Sequence, residues 1–226
     1  MTLIHRPSPN FNDRALPVSM LVLHYTGMET GRAAIDRLAD PDAKVSAHYV
    51  VAEDGSVIAM VDEAKRAWHA GLSYWRGITD INSASIGMEI VNGGHDFGLP
   101  DYPPAQIDAV IALSRAIIAR HAIAPVNVVG HSDIAPGRKI DPGEKFPWER
   151  LAREGVGLWP DGVVPAKPDE ARAAGLLNAI GYNPELALGV VLTEFQRRYR
   201  PSRLDGVLDD ETMGLIEALA GKGPPA

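Results

Sequence analysis

Short apolar runs alternate with longer amphipathic stretches through the first 150 residues of the chain. Apolar runs of strand length occur at 19–24, 47–52, 57–61, 85–91 and 126–129. The Asp54-Gly55 pair predicts a tight turn that joins the second and third runs into a hairpin. Helical spacing predicts one helix over 33–39 and another from Pro104 to about His121. This alternation predicts an α/β fold in which helices flank a mixed central sheet.

Both ends of the chain depart from this pattern. Residues 1–17 are polar and interrupted by prolines, which predicts an extended lead-in. Residues 156–168 are rich in Gly and Pro, as is typical of a linker. Beyond the linker, apolar positions keep helical spacing only, in the stretches 169–180, 186–199 and 210–219. We therefore predict a main domain over 1–155 and a small three-helix domain over 169–222.

The composition is that of a soluble globular protein, with 46 % hydrophobic and 23 % charged residues. The formal charge of −7 argues against non-specific binding to nucleic acid, which needs clustered positive charge. No apolar run reaches the roughly 18 residues that a membrane span needs. The sequence contains no Cys, which excludes disulfides, thiolate metal ligands and a lipid-anchored cysteine. Any metal must therefore be held by His, Asp or Glu.

The amino-terminal segment lacks the positively charged and apolar regions of a signal peptide. On this ground we predict a cytoplasmic protein. The alternative is a protein of the periplasm or cell envelope that uses an export route not recognisable in the sequence.

Two histidines stand at or just beyond the ends of predicted strands. His24 ends the first strand, and His131 follows the last one. Asp141 comes ten positions later, on a loop that Pro136 and Pro142 stiffen. A catalytic zinc ion typically takes three His or carboxylate ligands and leaves a fourth position for water. The spacing favours a zinc site formed by the two histidines and Asp141, while the alternative for each histidine alone is a hydrogen-bonded structural role.

Two further residues suit hydrolysis. Glu89 shares one face of its predicted strand with Gly87 and Val91, and it is the candidate general base. Lys139, two positions before Asp141, is the candidate cation for a developing oxyanion. The alternatives are that Glu89 pairs with a buried Arg and that Lys139 is a solvated loop charge.

Five motifs in this order resemble the type 2 family of zinc-dependent N-acetylmuramoyl-L-alanine amidases. They are Leu-His-Tyr-Thr at 23–26, Ser-Ala-His-Tyr at 46–49, Ala-Trp-His-Ala-Gly at 67–71, Ser-Ile-Gly-Met-Glu at 85–89 and Gly-His-Ser-Asp-Ile-Ala-Pro-Gly-Arg-Lys-Ile-Asp-Pro-Gly at 130–143. That family shares its fold with peptidoglycan recognition proteins and T7 lysozyme. The segments Tyr-Trp-Arg-Gly at 74–77 and Phe-Pro-Trp at 146–148 also resemble the Gram-negative branch that acts on muropeptides, including 1,6-anhydro forms.

The resemblance implies hydrolysis of the amide bond between N-acetylmuramic acid, or its 1,6-anhydro form, and L-alanine of the stem peptide. It implies one zinc ion held by His24, His131 and Asp141. Glu89 then activates the zinc-bound water, and Lys139 stabilises the tetrahedral intermediate. The expected partners are peptidoglycan or soluble muropeptides, within cell-wall recycling or turnover.

Three more residues fall where the family contacts substrate: His69, Trp75 and Arg76. The guanidinium of Arg76 could hold a carboxylate of the stem peptide in a bidentate pair. Two other functions remain alternatives. One is a non-catalytic peptidoglycan-recognition protein with the same fold, and the other is a lytic amidase that acts on intact sacculi.

The tail resembles the three-helix peptidoglycan-binding domain. The motifs are Leu-Leu-Asn-Ala-Ile-Gly-Tyr at 176–182, Phe-Gln at 195–196 and Asp-Gly-Val-Leu-Asp at 205–209, followed by Thr212. The alternative is a helical cap that binds no ligand.

Overall fold

The computed structural model describes residues 3–222, and eight strands and eight α-helices form its framework. The strands are β1 (Leu3–His5), β2 (Phe11–Asp13), β3 (Met20–Tyr25), β4 (Tyr49–Val51), β5 (Val57–Ala59), β6 (Lys65–Ala67), β7 (Ser85–Ile90) and β8 (Val128–Gly130). The helices are α1 (Gly31–Ala39), α2 (Ile81–Ala84), α3 (Pro104–His121), α4 (His131–Ile134), α5 (Trp148–Arg153), α6 (Glu170–Ile180), α7 (Leu188–Tyr199) and α8 (Asp210–Ala220). Two short 3₁₀ helices cover His95–Phe97 and Pro125–Asn127.

The central sheet has six strands in the order β1-β5-β4-β7-β3-β8. Strands β4, β7, β3 and β8 run parallel to one another, whereas β5 runs antiparallel to β4. The parallel strands therefore end at the same edge, which is where open α/β sheets usually bind ligands. The register pairs His24 of β3 with Glu89 of β7, and Leu23 with Gly130 of β8.

One face of this sheet is covered by α3 and α5. Alternate strand residues point to this face, because side chains alternate with period two along a strand. They are Leu21, Leu23, Ile86, Met88 and Ile90, all fully buried against apolar residues of α3 and α5. This packing fixes the opposite face as the one that carries His24 and Glu89.

The opposite face has two different covers. Helix α1 packs at one end, where Leu38 meets Val50 and Ile58. Helices α6, α7 and α8 pack at the other end, against Met20, Val22 and Val129. A cleft lies beside α1, at the carboxyl ends of the parallel strands.

The three carboxy-terminal helices share one apolar cluster with the sheet. Leu177, Phe195 and Ile216 belong to the same buried cluster as the sheet residues below them. The predicted linker is itself packed, because Val156 is fully buried and the ring of Trp159 lies 5.5 Å from that of Tyr199. The helices and the sheet are therefore held by common side-chain contacts as well as by the connecting chain.

Residues of the tail motifs form hydrogen bonds that hold the turn between α7 and α8. The buried Gln196 donates to the carbonyl of Val207, and its amide oxygen accepts from the Gly206 N–H. Asp209 caps α8 by accepting from the backbone N–H of Thr212. These contacts hold the turn between these two helices of the tail, and they assign no ligand to the motifs.

The α/β class with a mixed central sheet is confirmed, and the predicted helices lie where the periodicity placed them. Thr30 caps α1 by accepting from the Ala33 N–H, and Pro104 begins α3. Helix α7 begins at Leu188 rather than at 186, after the turn at Asn183. The lead-in over 1–17 differs most, because within its described part 3–5 pair with β5 and 11–13 with β6.

Among residues 3–222, the structure contains no helix with the length and apolar character of a membrane span.

Candidate active site

Three side chains meet at the edge where the parallel strands end. His24 lies near the end of β3, and His131 is the first residue of α4, directly after β8. Asp141 returns to them along the loop after α4, where its carbonyl accepts from the Ser132 N–H. All three side chains are buried.

The facing atoms of these residues form a small triangle. His24 Nδ1 lies 3.0 Å from His131 Nδ1 and 2.9 Å from Asp141 Oδ2, and His131 Nδ1 lies 3.1 Å from the same oxygen. Tetrahedral ligands of a small divalent cation lie roughly 3.3 Å apart when each is about 2.0–2.1 Å from the ion. The triangle therefore has the size of one face of such a coordination shell.

The neighbours of His131 indicate its tautomer. Its Nε2 lies 3.0 Å from the carbonyl oxygen of Ala70, which can only accept a hydrogen bond. The proton of the neutral ring is therefore assigned to Nε2, and Nδ1 presents a lone pair to the triangle.

A longer chain of hydrogen bonds indicates the tautomer of His24. The hydroxyl of Ser85 donates to the Ile81 carbonyl at 2.6 Å, so its oxygen accepts from His69 Nε2 at 3.2 Å. His69 Nδ1 then accepts from His24 Nε2 at 3.0 Å. His24 Nδ1 is left with a lone pair that also points into the triangle.

Three acceptor atoms thus converge when both rings are neutral. Burial, followed by the neighbouring His131, lowers the pKa of His24 to about 4, so its ring is neutral near pH 7. Burial opposes ionisation of Asp141, but a proton shared with the His131 and His24 rings outweighs it and holds the pKa of Asp141 well below its usual range; a bound cation would replace that proton. Neutral imidazoles and an ionised carboxylate are the forms that bind cations, so these three residues could hold a metal ion.

Glu89 stands beside this group on the same face of the sheet. Its Oε2 is buried and has no hydrogen-bond partner among the described residues. Burial, reinforced by the charge of Asp141, raises the pKa of Glu89 well above its usual range, and Lys139 opposes the shift. A carboxyl group in this setting is suited to accept and return a proton near neutral pH.

These groups open into a cleft of about 470 Å³ between α1 and the loop after α4. Lys139 lines the cleft, as sequence reasoning expects, and His69 forms part of its wall. The cleft also contains Arg37 and Arg138, which the sequence analysis did not single out. Arg37 stands in no motif, and Arg138 belongs to the motif at 130–143 without a role inferred for it there, so only the fold shows that both face the cleft.

Trp75 and Arg76 lie elsewhere. The Trp75 ring is 2 % exposed and packs at 5.1 Å on the ring of Tyr182. Arg76 donates to the carbonyls of Ala179 and Ile180 at the end of α6. The structure therefore places both residues at the contact with the carboxy-terminal helices, and neither lines the cleft.

Sequence reasoning also missed the supports of the histidines. Ser85 and the Ala70 carbonyl fix the two ring orientations, yet a serine and a backbone oxygen carry no recognisable signal of their own. Ser85, Ala70 and His69 all belong to motifs quoted above, but the hydrogen bonds by which they support the two histidines become visible only through the fold.

Comparisons with known proteins agree with this geometry. Residues 14–144 match the model of the Amidase_2 family, described as N-acetylmuramoyl-L-alanine amidase. The chain is 39 % identical to the N-acetylmuramoyl-L-alanine amidase AmiD of Escherichia coli over 234 residues, which covers 91 % of this chain and 83 % of that protein. It is 37 % identical to the 1,6-anhydro-N-acetylmuramyl-L-alanine amidase AmpD of Enterobacter cloacae, over 65 % of this chain and 87 % of AmpD.

Two solved structures are similar over nearly the whole chain. One is E. coli AmiD in complex with anhydro-N-acetylmuramic acid-L-Ala-D-gamma-Glu-L-Lys, with a TM-score of 0.82, 38 % identity and coverage of 93 % of this chain and 92 % of that one. The other is AmpDh3 of Pseudomonas aeruginosa in complex with anhydromuramic pentapeptide, with a TM-score of 0.84, 34 % identity and coverage of 97 % and 96 %. The fold, the clustered side chains and these matches together show that the chain belongs to the N-acetylmuramoyl-L-alanine amidase family.

Proposed function

We propose that this protein uses one zinc ion to hydrolyse the bond between the lactyl group of N-acetylmuramic acid, or its 1,6-anhydro form, and L-alanine. The observation that carries the proposal is the convergence of His24, His131 and Asp141 beside Glu89 in one cleft. The relatives named above, two of them solved with anhydromuropeptides, support the substrate class. The reaction belongs to cell-wall recycling or turnover.

Zinc suits the donor set. Two histidine nitrogens and one carboxylate oxygen, with a fourth position open to the cleft, are the ligands of a catalytic rather than a structural zinc site. When bound, zinc would polarise the amide carbonyl and lower the pKa of a water molecule towards ~7. Hydrogen bonds from the His24 and His131 rings to His69 and Ala70 would hold both ligands in the required tautomer.

Glu89 acts as the proton shuttle in this proposal. It takes a proton from the water that attacks the lactyl carbonyl carbon, and it passes that proton to the amine nitrogen as the C–N bond breaks. The ammonium group of Lys139 stabilises the negative charge that develops on the carbonyl oxygen.

The proposed substrate contacts are fewer than the sequence predicts. His69 remains a wall of the cleft and a support of His24. Trp75 and Arg76 are not included, because their side chains contact Tyr182 and the end of α6.

The test combines metal analysis with product analysis. Purified protein is expected to contain about one zinc ion per chain and to release free stem peptide from a 1,6-anhydro-muropeptide, followed by mass spectrometry. A chelator should abolish the release, and added zinc should restore it. Asp141→Ala should lose both the metal and the activity, since it removes one ligand.

Zinc binding without release of the peptide would favour the alternative of a non-catalytic recognition protein. Faster release from intact sacculi than from soluble muropeptides would favour the lytic amidase. Release that survives complete metal removal would contradict the proposed chemistry.

We further propose that the three carboxy-terminal helices bind peptidoglycan and that the protein is cytoplasmic. Binding of peptidoglycan by the three carboxy-terminal helices is checked by co-sedimentation of the protein with purified sacculi. The cytoplasmic location is checked by fractionation of cells that express the full chain.

A further inference from the structure

A buried ion pair joins the carboxy-terminal helices to α4, the short helix that begins at His131. Arg198 of α7 donates to Asp133 of α4 at 2.5 Å, and the two side chains are only 4 % and 1 % exposed. A charge at this depth is costly to desolvate unless its partner is held in place. The pair therefore fixes the position of Asp133 relative to α7.

Asp133 accepts two more hydrogen bonds. The hydroxyl of Tyr182, which follows α6, donates to Oδ1 at 2.7 Å. The backbone N–H of Gly130 donates to Oδ2 at 2.8 Å, so Asp133 caps the turn in which His131 begins α4. The same carboxylate thus connects two helices of the tail with the backbone next to a predicted metal ligand.

Arg198 holds this region at two further points. It donates to the carbonyl of Val128 in β8 at 3.1 Å. Its guanidinium also lies 3.9 Å from the centre of a Trp148 ring, a distance typical of a cation–π contact. Strand β8 and the start of α4 are therefore both fastened to α7, immediately before and after His131.

We propose that Asp133, clamped by Tyr182 and Arg198, is a positioning residue that fixes the His131 imidazole for metal binding. The carboxy-terminal helices would then be part of the catalytic apparatus of this chain and more than a wall-binding attachment. This inference rests on the proposed zinc chemistry.

A rival explanation is that the cluster only holds the helices to the sheet. The two explanations differ in what they predict for metal affinity. A purely structural role changes the free energy of unfolding and leaves the affinity of the folded protein for zinc unaltered. A positioning role weakens zinc binding and lowers kcat even when the protein is fully folded.

The test uses the full chain and two variants of the cluster. Tyr182→Phe removes one hydroxyl and keeps the ring, while Arg198→Met removes the charge and keeps most of the volume. The matched control is Arg200→Met, two positions further on. This substitution breaks a half-buried ion pair between Arg200 and Asp209. That pair lies within the tail, and it does not touch the sheet.

Three quantities are measured for each protein: the zinc dissociation constant by competition with a chromophoric chelator, kcat with saturating zinc, and the urea midpoint of the metal-free form. We expect Tyr182→Phe to weaken zinc binding about threefold to tenfold and to lower kcat to a similar extent. That effect is smaller than the roughly tenfold to hundredfold loss caused by removing a direct partner of a metal ligand. Arg198→Met should weaken binding further, and Arg200→Met should shift only the urea midpoint.

Unaltered zinc affinity and kcat in folded Tyr182→Phe would overturn the inference, and equal loss of affinity in Arg200→Met would do so as well. If Arg198→Met does not fold, Tyr182→Phe still decides. An unmodified protein that binds no zinc would instead contradict the proposed function, so the two failures are distinguishable.

Discussion

Gly87 lies on β7 directly against the ring of His69. A Cβ atom at this position would overlap the imidazole, so the absence of a side chain lets His69 reach His24. Gly87 has no positive φ angle. The constraint is therefore steric, and it is local to the ring that supports a predicted metal ligand.

Gly87→Ala should displace His69 and weaken zinc binding while the fold persists. The overlap should cost about 1–3 kcal/mol of unfolding free energy, as in other overpacked cores. Chelator competition and urea unfolding measure the two effects. Gly175→Ala is the control, because nothing lies near a Cβ there and alanine favours the helix. Unaltered zinc affinity in Gly87→Ala would argue against the support of His24 by His69.

Glu89→Gln should separate metal binding from catalysis. Glutamine keeps the shape of the side chain but cannot accept and return the proton, so kcat should fall roughly 10²–10⁴-fold. Zinc content should stay near that of the unmodified protein, since Glu89 is not one of the three predicted ligands. Steady-state hydrolysis and metal analysis check this prediction, and near-normal turnover would remove Glu89 from the mechanism.

Between elements, Glu63 connects the end of α3 with strand β4. It accepts from Tyr49 at 2.7 Å, and it also pairs with Arg120 and His121. Burial opposes its ionisation, but these hydrogen bonds outweigh burial and lower the pKa of Glu63 to about 2. At any pH at which Glu63 is ionised, its carboxylate therefore stabilises the contact between α3 and the β4–β5 hairpin.

Glu63→Gln should lower the unfolding free energy by roughly 1–3 kcal/mol at pH 7. Urea unfolding measures this loss. Glu149→Gln is the matched control, because its pair with Arg153 is exposed and should contribute less than about 1 kcal/mol. Similar losses in both variants would contradict the role given to Glu63.

Acid should weaken the metal-free protein in two stages. Burial lowers the pKa of His48 to about 4 in the native state, whereas the pKa in the unfolded chain is about 6.5. Between these two pH values the unfolded chain binds a proton at His48 and the native state does not, so the native state loses stability. Between pH 4.5 and about 2, the unfolded and native pKa values of Glu63, the unfolded chain likewise binds a proton that native Glu63 does not. The unfolding free energy should therefore fall as pH falls through both ranges. Urea unfolding between pH 8 and 3 checks this, and Glu63→Gln should flatten only the lower stage.

Elements with strong local signals were predictable, and elements that depend on distant partners were not. Periodicity, a proline at a helix start and a capping threonine are local, and α1, α3 and β7 followed from them. Strands β1 and β2 hold three exposed residues each, so their pairing with β5 and β6 left no apolar pattern to detect.

The candidate site divides in the same way. His24, Glu89, His131, Lys139 and Asp141 stand at strand ends or on one loop, where their spacing is informative. The positions of Trp75 and Arg76 depend instead on helices more than 100 residues away, and no local pattern reports that contact.

Over the whole molecule, the carboxy-terminal helices complete the core under the sheet. Removing them would expose apolar residues of β3 and β8 together with Trp75. We therefore expect a fragment of residues 1–155 to lose cooperative unfolding and to bind a dye specific for exposed apolar surface. Co-expression with 156–226 is the control and should restore the soluble protein. A fragment 1–155 that unfolds cooperatively with the stability of the full chain would show two independent domains.

The shared core also fixes how the tail and the cleft are oriented towards each other. A module on a flexible linker samples many positions, and the effective concentration of its target is set by the length and stiffness of that linker. Here Val156 and Trp159 are packed, so that sampling is restricted. A glycan strand held by the helices would meet the cleft at one spacing and one angle. The choice of scissile bond along such a strand would then follow from molecular dimensions, and lengthening the connection would alter the pattern of products.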